Sequence, residues 1–183
     1  MGAVKVIINK ELKVAFNSLL IYIAYTAFLC VTGFVCWFSG KNIFSSGQAS
    51  LSNLFNVFYW TLFFLIPALT MKSISEERKE GTFELLFSKP IKTGQVIMGK
   101  FLAILLQVVI CLALTLPYYI TIASLGNVDH AVGFCGYLGL ILVSGCYISI
   151  GMFASSLTPN TIVAFFITFA IETGFVLLFE FIA

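Results

Sequence analysis

Long uninterrupted runs of apolar residues alternate with short polar stretches along the chain. An α-helix needs about 20 residues to cross the ~30 Å hydrocarbon core of a membrane, and the strands of a membrane β-barrel instead alternate polar and apolar residues. The runs are continuous, so they favour helices. The pattern predicts an all-α polytopic transmembrane helix bundle with five spans, at 18–38, 54–71, 101–125, 134–157 and 161–183.

A shorter, amphipathic pattern precedes the first span. Over residues 3–16, Lys5, Lys10 and Lys13 lie mostly off one apolar stripe. Helical spacing of this kind predicts an interfacial helix lying flat on the membrane, with its lysines toward anionic headgroups. A frayed basic tail is the alternative. The apolar stripe consists of Val4, Ile7, Ile8, Leu12 and Ala15.

The basic residues are distributed unequally between the two sides of the predicted bundle. Three lysines precede the first span and six basic residues lie between spans two and three, whereas Lys41 alone lies between spans one and two. Cytoplasmic loops are enriched in Lys and Arg. We therefore expect a cytoplasmic N-terminus and a cytoplasmic segment over 72–100.

Composition restricts the class of protein further. Hydrophobic residues make up 60% of the 183 residues and charged residues 10%, against about 25% charged in soluble domains. A soluble globule of this size could not bury so much apolar surface. No basic patch with interleaved aromatics suggests nucleic-acid binding. The five cysteines form no CxxC pair and there is one histidine, so a metal site has no support.

Two motifs resemble catalytic sequences only in part. The stretch 94–100 reads G-Q-V-I-M-G-K, but Phe101 follows where a P-loop carries Ser or Thr. Glu76 and Glu77 resemble the paired glutamates of intramembrane prenyl-protein proteases, yet His130 is the single histidine. We interpret both as chance similarities and predict that the chain is not an enzyme.

Polar and helix-breaking residues also occur inside the spans. Glu172 lies about eleven residues into span five, or ~16 Å along a helix, which is near mid-membrane. A carboxylate there is costly, and a packed structural role and a pathway role both fit it. Pro67 and Pro117 predict kinks. Span four carries two small-x3-small pairs that permit close helix packing, Gly145/Ser149 and Gly151/Ser155.

The segment between spans two and three predicts a short helix of its own. Gly81 suits the left-handed residue that ends a helix, Thr82 suits the N-cap of the next, and Pro90 stops it. The resulting helix, over about 83–89, carries large apolar side chains with charges at both ends. Such a helix is typical of a docking surface, although it could also fold back onto the membrane interface.

The sequence of this segment resembles that of a known family. Residues 76–91 read E-E-R-K-E-G-T-F-E-L-L-F-S-K-P-I, which is similar to the cytoplasmic segment of ABC-2-type ABC transporter permeases. The closest subgroup is the gliding-motility-associated permease subunit. The resemblance extends over nearly the whole chain, through stretches at 10–13, 64–71, 99–103, 150–158 and 162–165.

The resemblance implies a transport function. It implies a permease subunit of the bacterial cytoplasmic (inner) membrane that moves an unidentified substrate. ATP and Mg²⁺ would be bound and hydrolysed by a separate cytoplasmic ABC ATPase, with no cofactor on this chain, and a second permease subunit would complete the transporter. Family members usually have six spans, so we expect this single domain over 1–183 to be truncated at its C-terminus.

The resemblance also implies which residues couple transport to ATP. The helix between spans two and three would sit in a groove of the ATPase, with Glu77 and Glu84 meeting basic groups and Leu85 and Leu86 filling the apolar groove. The candidate coupling residues are Glu77, Gly81, Thr82, Glu84, Leu85, Leu86 and Pro90. Two other functions remain open: a non-transporting scaffold or regulatory subunit that recruits a cytoplasmic protein, and an ion-coupled transporter that uses Glu172.

Overall fold

The computed structural model describes residues 2–38, 51–81, 93–125 and 129–182. These residues form helices joined by turns, and no strand occurs among them. The predicted all-α class is confirmed. The helices are α1 Gly2–Asn17, α2 Leu19–Phe38, α3 Leu51–Thr70, α4 Ser75–Lys79, α5 Thr93–Ala113, α6 Leu116–Leu125, α7 His130–Leu157 and α8 Thr161–Ile182.

Among the described residues, five segments are long and apolar enough to cross a membrane, which agrees with the predicted number of spans. The second and third extend several residues beyond the predicted ends, because helix continues into the polar stretches that flank the apolar runs. The five segments are Leu19–Phe38, Leu54–Lys79, Thr93–Ser124, His130–Leu157 and Thr161–Leu178.

Helix α3 lies at the centre of the bundle, where it packs against α2, α7 and α8. Leu54, Phe58, Leu62 and Ile66 recur every four residues and are at most 2% exposed. This spacing places them on one face of the helix. The face forms the middle of the core, and α7 in addition packs directly against α5 and α8.

The third span is divided into two helices near Pro117. Helix α5 ends at Ala113 and α6 begins at Leu116, as expected where proline removes a backbone donor. The Thr115 hydroxyl is within hydrogen-bond distance of the Leu112 carbonyl, at 2.6 Å, and of the Tyr137 hydroxyl, at 3.0 Å. The sequence predicts kinks at both prolines: near Pro117 the helix is interrupted, and at Pro67 the helix α3 continues to Thr70.

Helix α1 packs along the beginning of α5. The apolar stripe predicted for residues 3–16 is half-buried there, while Val6 and Val14 are 68% and 58% exposed. A Cβ atom added at Gly99 would lie 2.7 Å from Cγ2 of Ile7, so glycine allows the two helices to approach closely. The chain bends at Ser18 before α2 begins.

One of the two small-residue pairs of span four lies at a close helix contact. A Cβ atom added at Gly151 would lie 2.2 Å from Oγ1 of Thr70, where α3 and α7 meet. At Gly145 the nearest atom would be Phe101 Cζ at 3.8 Å, which is an ordinary contact. Close packing therefore depends on Gly151, and Gly145 does not have the role that its spacing suggested.

Candidate functional site

A buried lysine lies where the second and third spans reach their common end. Lys100 belongs to the second turn of α5 and is 4% exposed. Its ammonium nitrogen is 2.9 Å from Oε1 of Glu77 and 3.2 Å from Oε1 of Glu11, and it donates to the carbonyl of Ser73 at 2.8 Å. An ammonium group has three donors. These acceptors use all of them.

The three acceptors come from three separate parts of the chain. Glu11 belongs to α1, Ser73 to the turn that follows α3, and Glu77 to α4. Lys10 adds a second positive charge, 3.7 Å from Glu11 and 3.9 Å from Glu77. We call Lys10, Glu11, Glu77 and Lys100 the ionic junction. It holds α1, α4 and α5 together, with two charges of each sign.

The turn between α3 and α4 is also attached to α7. Ser155 accepts hydrogen bonds at 3.1 Å from the backbone amides of both Ile74 and Ser75, and its hydroxyl lies 3.2 Å from the Met71 carbonyl. Arg78 donates to the carbonyl of Ser156. Ser155 was noted in the sequence only as a small packing residue, and its hydroxyl in fact organises this turn.

These contacts fix the chain on both sides of the predicted coupling helix. Helix α4 ends at Lys79, shortly before residue 82, and α5 begins at Thr93. The ion pair between Glu77 and Lys100 therefore joins the two flanks of segment 82–92.

The structure describes two of the seven candidate coupling residues. Glu77 faces Lys100 of its own chain, and its predicted contact with a partner stays a prediction. Gly81 is exposed and has φ +67°, which confirms the left-handed conformation expected at the end of a helix. The predicted helix over 83–89 lies outside the described residues, as do Thr82, Glu84, Leu85, Leu86 and Pro90.

The sequence analysis missed the importance of Lys100 and Glu11. Lys100 was considered as one of the basic residues between spans two and three, as part of the family resemblance and as part of a P-loop match, but not as a buried ion-pairing group. Residues 94–100 are helical in the structure and form no loop that could surround a phosphate. The sequence did contain a feature that could have singled out each of these residues. Lys100 is a lone charge at the start of an apolar run, and Glu11 is the single acidic residue among the lysines of α1.

Glu172 is fully buried in the middle of α8, at 0% exposure. Neither carboxylate oxygen has a hydrogen-bond partner among the described residues. Tyr147 of α7 is close enough to interact with it electrostatically, and the Tyr147 hydroxyl is 2.8 Å from that of Tyr59. The carboxyl group thus faces the interior of the bundle.

Metal-binding groups and paired cysteines are two other kinds of site that the described part of the chain could contain. In the described part of the chain, His, Cys, Asp and Glu residues form no group of three that could hold a metal ion. The cysteines in that part are unpaired. The ionic junction is therefore the candidate functional site. Its residues form ion pairs that hold helices together.

Comparison with known proteins adds one finding. The family described as ABC-2 family transporter protein matches residues 6–183, which includes every element of the junction. Comparisons with curated proteins and with solved structures found no match.

Proposed function

Because the chain belongs to the ABC-2 transporter family, we propose that it is a permease subunit that moves its substrate with ATP hydrolysed by a separate cytoplasmic ATPase. The membrane part of the transporter is thus this chain and its partner permease. Within the family, we propose the gliding-motility-associated subgroup, on the resemblance that extends over nearly the whole chain.

The ionic junction is the observation that carries this proposal. A motor that docks on segment 82–92 needs a stiff connection from that segment to the spans, and the Glu77–Lys100 pair at 2.9 Å supplies one. Ser155 extends the connection to α7. Rigid-body rearrangement of packed helices is a common switching mechanism.

The charge distribution supports a cytoplasmic position for the junction. Lys5, Lys10 and Lys13 are exposed on α1, and Arg78 and Lys79 are exposed on α4. Exposed basic residues at one end of a bundle favour the anionic cytoplasmic leaflet. We therefore place the N-terminus and segment 82–92 in the cytoplasm, and the chain in the bacterial inner membrane.

An apolar groove between α2 and α3 supports pairing with a second permease subunit. The cavity there has a volume of about 580 Å³, and its walls include Phe28, Val31, Trp60 and Phe64. The exposed amide of Asn56 also lines it. Polar side chains in spans commonly hydrogen-bond across helices, so a second subunit covering the groove would satisfy this amide.

Replacing both Leu85 and Leu86 with aspartate is expected to abolish copurification with the ATPase. Two carboxylates cannot enter an apolar groove without a large desolvation cost. The measurement is an affinity pulldown from detergent-solubilised membranes, with mass spectrometry to detect a bound P-loop ATPase. Leu85→Met/Leu86→Met is the control, because it conserves volume and apolarity. Copurification that is unchanged in the aspartate variant would refute the proposal.

The scaffold alternative requires a different readout. A scaffold would retain its partner without altering ATP hydrolysis, whereas a permease is expected to change the ATPase rate of the reconstituted complex. Measuring ATP hydrolysis with and without this chain in liposomes separates the two functions.

Replacing Glu172 with leucine is expected to raise thermal stability by several degrees. A buried unsatisfied polar group costs about 1–3 kcal/mol, and each kcal/mol shifts Tm by roughly 2–4 °C at this size. Thr168→Val is the control, since Thr168 is equally buried but its hydroxyl bonds to the Ala164 carbonyl.

ATP-dependent transport should persist in Glu172→Gln. If transport instead vanished in that variant and followed a pH gradient without ATP, ion coupling through Glu172 would replace our proposal.

A further inference from the structure

A cavity of about 240 Å³ lies beside the ionic junction, between α1, α2, α3 and α5. Lys72 and Lys100 both line it, and in the sequence Lys72 directly follows the apolar run of the second span while Lys100 directly precedes that of the third. The ends of these apolar runs mark the boundary between hydrocarbon and water, whichever side of the membrane they face.

The cavity is lined by both apolar and polar residues. Ile21, Leu69 and Ile104 contribute apolar surface from three different helices. Gln107, which is 5% exposed, brings a carboxamide to the wall. The hydroxyl of Ser73, another lining residue, is buried and has no hydrogen-bond partner in the part of the chain that is described. Buried polar groups normally have a partner, so this donor is left unsatisfied by the described chain.

Two opposite charges are available on the lining. Lys72 and Glu76 are 3.6 Å apart, and their side chains are 41% and 46% exposed. Lys100 also lines the cavity, but its three donors are already used within the chain. Glu11 also lines the cavity, with its side chain 21% exposed and paired to Lys100. A ligand would therefore meet the Lys72 ammonium and the Glu76 carboxylate, beside the already paired carboxylate of Glu11.

We propose that this cavity binds the headgroup of a zwitterionic phospholipid that carries a primary ammonium, as in ethanolamine phospholipids. The phosphate accepts from Lys72, and the ammonium donates to Glu76. The first acyl carbons follow the apolar wall at Leu69 and Ile104.

The size of the cavity agrees with this ligand. Sites for drug-sized molecules are about 300–1,000 Å³, so 240 Å³ suits a headgroup and not a whole lipid. A primary ammonium can donate hydrogen bonds to Glu76, whereas a methylated choline cannot. An anionic headgroup would leave the carboxylate unpaired beside a phosphate.

The bound headgroup would help the ionic junction to hold these helices together. It lies between α1 and the turn after α3, the same elements that Lys100 joins. Membrane composition would then affect how firmly these helices are held. This site does not depend on the ATPase or on the transported substrate.

The test is lipid binding to the purified full chain after delipidation, measured by native mass spectrometry. The probes are phosphatidylethanolamine, phosphatidylcholine, phosphatidylglycerol and soluble phosphoethanolamine. We expect the unmodified chain to prefer phosphatidylethanolamine. Glu76→Gln and Lys72→Gln should each weaken its binding by about tenfold, as expected for loss of a charge-assisted hydrogen bond. Lys79→Gln is the matched control, because Lys79 is exposed on α4 and does not line the cavity.

A second variant fills the cavity without changing its charges. Ala15→Leu places a larger side chain on the lining and is expected to weaken phosphatidylethanolamine binding as well. Equal binding of the three lipids, or binding by all three cavity variants that equals the Lys79→Gln control, would overturn the proposal. So would soluble phosphoethanolamine binding as tightly as the lipid, because the ligand would then be a soluble molecule.

Discussion

Replacing Lys100 with methionine is expected to lower the thermal stability of the chain by roughly 6–12 °C. The ammonium is 4% exposed and contacts two carboxylates and one carbonyl. Removing one member of a buried ion pair costs about 3–5 kcal/mol, and the lower value applies because Glu11 and Glu77 keep 21% and 18% side-chain exposure. At about 2–4 °C per kcal/mol, 3 kcal/mol gives the stated shift. Fluorescence-detected thermal unfolding in detergent measures it.

Two further variants test whether the charge contacts explain this loss. Lys79→Met removes an exposed lysine of α4 and should leave Tm nearly unchanged, because exposed charges contribute little. Combining Lys100→Met with Glu11→Gln and Glu77→Gln should recover much of the lost stability, since no uncompensated charge then remains buried. A triple variant that is less stable than Lys100→Met alone would contradict the account.

Replacing Gly151 with alanine is expected to be the most damaging single-methyl change in α7. The new Cβ would lie 2.2 Å from Oγ1 and 2.7 Å from Cβ of Thr70. The Thr70 Cβ is attached to the α3 backbone, so a change of rotamer cannot remove the clash, and the two helices must separate. Overpacking costs about 1–3 kcal/mol, and we expect the upper end, observed as a fall in Tm of several degrees.

The same substitution elsewhere in α7 is the control. A Cβ atom added at Gly139 has no neighbour within 4 Å, and alanine has a higher helix propensity than glycine. Gly139→Ala should therefore keep or raise Tm. The double variant Thr70→Gly/Gly151→Ala moves the glycine of this contact from α7 to α3, and it should restore part of the lost thermal stability. If Gly151→Ala unfolded at the same temperature as Gly139→Ala, α3 and α7 would not be in close contact at this position.

The spans could be predicted from the sequence because membrane crossing depends on local composition. A run such as 161–183 contains enough apolar residues to identify a span without reference to its neighbours. The break at Pro117 was also predictable, since proline acts through its own backbone. Gly81 is a third such case, because its left-handed φ follows from local geometry.

The junction could not be predicted in this way because its members are far apart in sequence. Glu11 and Lys100 are 89 residues apart, and nothing in the local pattern of either residue indicates the other. The packing of α1 against α5 could not be predicted for the same reason. Its stripe indicated a partner surface, and both a membrane and α5 fit that pattern. Ser155 was misjudged because small size and hydrogen-bonding capacity cannot be separated in a sequence.

The two halves of the third span have different polar contacts at their far ends. Helix α5 is attached through Lys100 to α1 and α4, whereas α6 is attached elsewhere: the Tyr118 hydroxyl donates to the Leu29 carbonyl at 3.1 Å, and the Tyr119 hydroxyl is 2.8 Å from Nδ1 of His130. A tilt of α5 therefore need not carry α6 with it. One face of the membrane could rearrange while the opposite face stays sealed, which is the basic requirement of a pump that never opens to both sides at once.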